Sequence, residues 1–534
     1  MLLSGFCLFL FFYGLNQFGL VGADEPRYAQ VAREMLERRD WVTPVLGGQP
    51  WLEKPPLYYW QAMVAYSVFG TKDWTARLPS ALDATLLVFA VYFFIRRFRP
   101  GYELDGALIT ASVAGVIGLG RAAATDMPLA ATFSVALIAW WTWRESGDRF
   151  YLIAFYALLG LGTLAKGPVA PCLAAAVIVI YAIAAGDNRC IKRTLWLPGL
   201  VVFLIIAAPW FVAVQLQNPD FFHTFIVEHN LARFSTNIYH HRQPFWFYGP
   251  VSLLALMPWS VFVIAAVART ARLWWVKKMW LGNVTGTDIS ENGLSLFALI
   301  WLLVPLGFFS FSQSKLPAYI LPAIPAVGLL LAEYIRQSVD ELDNQPTPRS
   351  LVVLHGLVAA APVFPALLIQ FLIRQHHIPS GKPAIVAAGI TIGLAATVAM
   401  TLSGKLGMRA LRFATMIPVV LAVGAFLKIG AEPMDEYLSA RVLAAEISSH
   451  QPHAMPLAVQ GVRREIDYGL AFYRNEQPLH TDGRIQPEGE YLLVVPEEAD
   501  VTLTQRRALL LGTLEAQHLD YYWILPSSQP APKP

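Results

Sequence analysis

The sequence predicts a multi-span α-helical membrane protein that ends in a small α/β domain. Of its 534 residues 56% are hydrophobic and 14% charged, and the mean hydropathy is +0.47. Apolar runs of roughly 16–24 residues recur along the chain, the length a helix needs to cross hydrocarbon. Beyond about residue 432 the long runs stop and charge rises. A soluble chain could not solvate so much apolar surface.

About thirteen spans are expected, at 1–21, 79–95, 105–120, 127–143, 150–165, 168–185, 195–215, 248–268, 294–311, 317–335, 350–373, 382–402 and 412–430. The shortest, around 150–185, suit half-helices or a re-entrant pair. Met1–Val21 lacks the basic start and cleavage site of a signal peptide and reads as a retained first span. Its abrupt start suggests a short cytosolic leader that is missing here. Alternate loops are basic, among them Arg96, Arg97 and Arg99, then Arg189, Lys192 and Arg193, then Lys277 and Lys278. The positive-inside rule puts these in the cytoplasm, with the C-terminus outside. The loops at 24–78 and 216–247 then share the outer face with the tail. The connection 279–293 reads as a flexible cytosolic loop.

The division expected is a membrane domain over 1–431, with its working outer loop at about 22–78, and an outer α/β domain over 432–534. The tail alternates helix (Met434–Ser449), strand (Leu457–Gln460), helix (Glu465–Arg474), strand (Tyr491–Val495), helix (Leu503–Leu511) and strand (Tyr521–Leu525). It carries no phosphate loop, which favours a covering or stabilising role. The last residues, SSQPAPKP, are expected to fray.

The net charge of +3 is scattered among short loops, so no nucleic-acid partner is indicated. Cys7, Cys172 and Cys190 fit neither a metal set nor a disulfide framework.

The chemistry concentrates at 24–60, DEPRYAQVAREMLERRDWVTPVLGGQPWLEKPPLYYW. Ionisable groups at the membrane surface are costly unless paired or engaged with a charged ligand. Pro26 suits the first turn of a helix. Tyr28, Val31, Ala32, Met35 and Leu36 share one face, as in a helix lying along the membrane surface. Asp24 and Glu25 stand at its N-terminus, where ordinary capping explains Asp24 as well as catalysis does. Pro55 biases Lys54 toward extended backbone. Beside Tyr58, Tyr59 and Trp60, that lysine suits a phosphate, although a snorkelling lysine in an aromatic belt has the same pattern.

Asp126, Lys166 and Lys315 lie on the same outer side and, if brought together, would make an anion-binding ring. In the 216–247 loop, Arg233 and Arg242 suit phosphate because a guanidinium offers bidentate donors. Glu228 and His229, with Glu53 as a third candidate, could supply ligands to a divalent ion such as zinc, but the spacing is no zinc signature, a lone histidine is more often a simple polar contact, and no cofactor is required. No Walker loop or dinucleotide fingerprint occurs. An outer-face enzyme would also lack cytosolic nucleotide sugars, so a membrane-carried, activated donor fits best.

GADEPRYAQVAREMLERRDW, EKPPLYYW, the RAAATD run ending at Asp126, the Lys166 turn, Glu228-His229-Asn230 and SKLPAYILP occur in an order that resembles the aminoarabinose transferases. These are membrane enzymes of the protein O-mannosyltransferase-like, GT-C class. The resemblance covers about residues 1–430 and is most specific in the first outer loop. It implies transfer of 4-amino-4-deoxy-L-arabinose from undecaprenyl phosphate to a lipid A phosphate on the periplasmic face of the bacterial inner membrane. The consequence would be resistance to polymyxin and other cationic peptides. By residue match Asp24 is the catalytic-type aspartate, Lys54 the carrier-phosphate lysine, and Glu53 with His229 a metal-associated pair. Tyr28, Tyr58 and Asp126 would line the same cavity, Asp126 as a second catalytic carboxylate, with Glu25, Arg27, Lys166, Arg233 and Lys315 as further substrate contacts. Asp24 would orient the acceptor, hold the sugar amine or stabilise charge at the anomeric carbon; a hydroxyl acceptor would make it a general base. Undecaprenyl phosphate sugar, lipid A and membrane lipids are the expected partners, and a monomer the expected state. Transfer of another sugar, or to protein or glycan, is the alternative within the class. A lipid-linked sugar transporter is disfavoured because charge gathers at the outer ends of spans rather than at midplane.

Overall fold

The computed structural model describes residues 1–232, 243–281, 286–340, 348–404, 406–450, 455–481, 487, 489–499 and 506–526. Helix dominates, and each apolar segment of the sequence falls on it. The order begins with α1 (Leu2–Cys7), which runs into a π turn at Leu8–Phe12. Helix α2 (Asp24–Arg38), strands β1 (Val45–Leu46) and β2 (Gln49–Pro50), and helix α3 (Leu57–Phe69) form the first outer loop. Then follow α4 (Asp73–Phe98), α5 (Glu103–Ser112), α6 (Ala114–Gly120), α7 (Asp126–Ser146), α8 (Arg149–Lys166), α9 (Val169–Ala185), α10 (Asn188–Thr194) and α11 (Leu197–Gln217).

Among the described residues seven helices are long and apolar enough to cross a membrane, or up to ten if each bent pair is one span. Leu2–Phe12 and Val169–Ala185 are shorter apolar helices. One bent pair is α5 and α6, which turn by 63° at Val113. The backbone there is extended, and the Ala114 N–H freed from the helix donates to the Met257 carbonyl at 2.8 Å. The connection expected over 279–293 is also corrected. One helix reaches Leu281 and the next starts at Gly286, while 282–285 lie outside the described residues.

The first outer loop folds as a unit. Helix α2 buries Tyr28, Ala29, Val31, Ala32 and Met35, the face its spacing specifies. It ends at Arg39, whose left-handed φ of 55° closes the helix with Arg39 N–H to Leu36 O and Asp40 N–H to Met35 O. Gly47 and Gly48, both at positive φ, make the tight turn of the β1–β2 hairpin. Their N–H groups donate to the Glu34 carboxylate at 2.9 and 3.0 Å, pinning the hairpin to α2.

The tail forms a five-stranded sheet, in the order β4 (Leu479–His480), β3 (Leu457–Val459), β5 (Tyr491–Pro496), β7 (Leu519–Pro526), β6 (Arg506–Leu514). β3 pairs parallel with β4 and β5, and β7 antiparallel with β5 and β6. Two expectations are corrected here. The helix expected over Leu503–Leu511 is strand from Arg506 onward, and 503–505 lie outside the described residues. A hairpin through Glu515–Gln517 pairs it with β7, and that ladder overrides the helix preference of Arg-Arg-Ala-Leu-Leu-Leu. The single helix expected over Met434–Ser449 is two, Ala431–Leu438 and Arg441–His450, broken at Ser439, which bridges to Val21. The terminal SSQPAPKP lies outside the described residues.

The tail helix Arg464–Arg474 lies on α2. Arg33 donates to the Phe472 carbonyl at 2.6 Å, and Asn475 to the Glu37 carboxylate at 3.1 Å. The tail and the first outer loop therefore stand on the same side of the helical bundle.

Candidate active site

An apolar-walled cavity of about 410 Å³ opens beneath the first outer loop. Glu53, Lys54, Asp126, Lys166 and His229 line it, so residues widely separated in sequence meet at one place. Leu129, Val169, Phe225, Phe308 and Phe309 are among its apolar walls. Asp126 opens α7 and Lys166 closes α8, each at the helix end whose dipole favours its charge. The two pair at 2.6 Å with side chains 15% and 17% exposed, and the Lys166 ammonium lies 5.0 Å from the centre of the Tyr319 ring. Lys54 is buried, and its ammonium donates to the Glu53 carbonyl at 3.3 Å.

Beside this cavity stands the start of α2. Asp24 is 57% exposed and pairs with Arg27. The Arg27 guanidinium lies over the rings of Tyr28, Trp51 and Tyr468, at 5.0, 5.2 and 5.6 Å. Burial works to lower the Arg27 pKa, but Tyr28, Asp24 and Glu53 outweigh it and the net shift is upward. The Tyr28 hydroxyl is driven well above its ordinary pKa, first by burial and then by Asp24, against the pull of Arg27; Asp126 and Glu53 add to the rise. Tyr28 is therefore a neutral hydroxyl at physiological pH, and Asp24, Glu53 and Asp126 all lie within electrostatic reach of it.

Other expected contacts are placed differently. Glu25 is buried, and its carboxylate is occupied by the protein. It accepts from Val21 N–H at 2.9 Å, Ala123 N–H at 2.8 Å and Arg77 at 3.0 and 2.7 Å. Arg77 also donates to the carbonyls of Leu15, Phe18 and Gly19. This is an internal clamp, which engages both carboxylate oxygens of Glu25. Tyr58 is fully buried and donates its hydroxyl to the Ala76 carbonyl at 2.8 Å; its ring packs edge-on to Tyr28 and Tyr59. Lys315, expected in the anion ring, is buried and donates to the carbonyls of Ser312 and Gln243 at 2.5 and 3.0 Å. It holds the loop whose Ser312 and Ser314 line the cavity. Arg233 and Arg242 lie outside the described residues.

Glu53 and His229 share the cavity, but among the described residues no group of three His, Cys, Asp or Glu could hold a metal ion. A catalytic zinc takes three protein ligands, so Glu53 and His229 would need a further ligand to hold one, and no step below passes through a metal. Tyr319, Trp51 and Tyr468 were not singled out from the sequence. Tyr319 sits in the SKLPAYILP run, whereas Tyr468, 441 positions from Arg27 by residue number (468 − 27), gave no local signal.

The chain is similar to known proteins in sequence and in fold. A family model described as dolichyl-phosphate-mannose-protein mannosyltransferase matches residues 53–212. The chain is 30% identical over 452 residues to the undecaprenyl phosphate-alpha-4-amino-4-deoxy-L-arabinose arabinosyl transferase of Aeromonas salmonicida, covering 82% of this chain and 78% of the relative. It is 29% identical to the protein of that name from Erwinia tasmaniensis over 463 residues, 84% of this chain and 77% of the relative. In fold it is similar to the crystal structure of ArnT from Cupriavidus metallidurans bound to undecaprenyl phosphate, with a TM-score of 0.79, 23% identity and coverage of 98% and 97%. Against the apo state of that protein the TM-score is 0.75 at 22% identity, covering 100% and 98%.

Proposed function

We propose the following reaction for this chain, which belongs to the undecaprenyl phosphate-alpha-4-amino-4-deoxy-L-arabinose arabinosyl transferase family: transfer of the aminopentose from undecaprenyl phosphate to a phosphate of lipid A. It is a glycosyltransferase of the GT-C type and a multi-pass inner-membrane protein. We assign residues 1–431 to the transferase part and 432–534 to a periplasmic unit, with the reaction on the periplasmic face.

The observation that carries this reading is the cavity that joins apolar walls to Lys54 and Lys166. The prenyl chain lies along the walls, and the ammonium groups meet the carrier phosphate. An oxygen of the acceptor phosphate bonds to the anomeric carbon as the bond from that carbon to the carrier phosphate oxygen breaks. Negative charge grows on the departing undecaprenyl phosphate, and lysines fixed in an apolar surrounding stabilise it most at that moment. A phosphate acceptor brings an anionic oxygen, so no base has to remove a proton from it. Asp24 then acts as a fixed negative charge toward the positive charge developing at the anomeric carbon, held in place by Arg27. The products are sugar-modified lipid A, less negative at its surface, and free undecaprenyl phosphate.

The test is mass spectrometry of lipid A from a strain lacking the gene, complemented with the wild type or with Asp24→Asn. An aminopentose increment with the wild type alone is the expected result. An increment of another mass changes the donor sugar, and no increment on lipid A rejects the acceptor.

A further inference from the structure

The Arg27 guanidinium sits between aromatic faces that come from two parts of the fold. Tyr28 and Trp51 belong to the first outer loop, but Tyr468 belongs to the tail helix Arg464–Arg474 that lies on α2. Among the described residues Asp24 is the opposite charge in direct contact with the guanidinium, and Nη2 also donates to the Tyr28 hydroxyl at 3.4 Å. The Arg27 Nε is buried without a hydrogen-bond partner, so hydrogen bonding alone does not fix the guanidinium plane. The rings fix it: a cation over several aromatic faces is held by their quadrupoles, and guanidinium stacks on such faces. The guanidinium in turn fixes Asp24, which is otherwise largely exposed and could swing into solvent. The tail is anchored so that Tyr468 cannot drift, through Arg33 to the Phe472 carbonyl on the same helix and through the stacking of Arg33 on the Phe472 ring at 4.6 Å.

We propose that Tyr468 is a positioning residue for the transfer reaction: its ring closes the aromatic cage on Arg27 and, through Arg27, orients Asp24. The sheet-bearing tail is thereby a working part of the active site rather than only a cover. This rests on the reading of Asp24 and Arg27 as site residues.

The experiment uses the full chain, purified and reconstituted, with undecaprenyl phosphate aminoarabinose as donor and lipid A as acceptor. Initial rates are normalised to the monodisperse folded protein. Tyr468→Leu removes the π face; Tyr468→Met, a second apolar side chain, replaces it if the leucine variant does not accumulate. The expected result is a kcat lower by about two- to five-fold, the worth of a cation–π contact, with the donor KM within about two-fold and an unchanged melting temperature. Tyr468→Phe, which keeps the ring and loses the hydroxyl, restores most of the lost rate. A leucine or methionine variant as fast as wild type overturns the proposal, and so does a phenylalanine variant as slow as either. Asp24→Asn and Arg27→Met run in the same assay. If those two keep the wild-type rate, the site reading itself fails; if they lose it while Tyr468→Leu does not, the positioning role alone fails.

Discussion

Lys54 and Lys166 sit in a cavity whose other surfaces are largely apolar, and that setting decides what each is worth. Charge–charge attraction grows as water is excluded, so an ammonium there stabilises a leaving phosphate far more than a surface lysine would. Lys54→Ala is expected to cost about 10²-fold or more in kcat with the melting temperature unchanged, read by single-turnover sugar transfer and thermal unfolding of the detergent-solubilised protein. Lys166 differs, because it also pairs with Asp126. Lys166→Ala leaves that half-buried carboxylate without its partner, so this variant is expected to lose both rate and some stability. That Lys54, Asp126 and Lys166 share one cavity was foreshadowed in the sequence, where each is a charge at the edge of an apolar stretch. Glu25 and Tyr58 were also singled out in the first outer loop, but their partners could not be read: Arg77 and the Ala76 carbonyl lie on α4, 52 and 18 positions along the chain.

At the level of single elements, the start of α2 is held by the Glu25–Arg77 clamp more than by an N-cap, since Ala23 provides no capping side chain. Removing one partner leaves a buried charge uncompensated, so Glu25→Gln is expected to cost about 3–5 kcal/mol, seen as a lower melting temperature with little residual transfer. The tail offers a pH-dependent counterpart. Burial raises the pKa of Asp467, against the pull of His480 at 3.4 Å, and one of its oxygens has no hydrogen-bond partner. A carboxyl with a raised folded-state pKa binds more protons folded than unfolded. Stability therefore falls as pH rises from the ordinary carboxylate value through the raised one. Asp467→Asn should flatten that fall and raise the melting temperature at neutral pH, measured from pH 4 to 8 in roughly unit steps. Elements with a local pattern, such as α2 and the apolar helices, were legible. β6 was not, because its strand state comes from pairing with β7 and its own residues favour helix.

Across the whole molecule the question is what keeps the tail seated on the site. The junction is polar and built around Arg441, which reaches Asp435 at 2.6 Å, Asp73 at 2.8 Å and the carbonyls of Asn16 and Gln17 at 3.2 and 3.3 Å. Tyr473 completes it, donating to Asp73 at 2.7 Å and accepting from Leu20 N–H at 2.7 Å. Gly19 passes beneath with no room for a side chain: a Cβ there would stand 2.2 Å from the Ser439 hydroxyl. One arginine thus ties together the end of the first span, the start of α4 and the tail, none of which are neighbours in sequence. Charged hydrogen bonds of this kind contribute about 1.5–3 kcal/mol each, and removing Arg441 also takes the cation away from Asp73 and Asp435, which keep the Tyr473 hydroxyl and the Gly19 N–H. Arg441→Ala should therefore free the tail without unfolding either part. Hydrogen exchange is expected to quicken at Gln17–Val21 and over Arg464–Arg474, while α7 and α8, packed against each other in the bundle, keep their protection. If Tyr468 reaches Arg27 only while the tail is seated, transfer should slow in step with that exchange. Faster exchange with an undiminished rate would instead make the tail a passenger on the finished site.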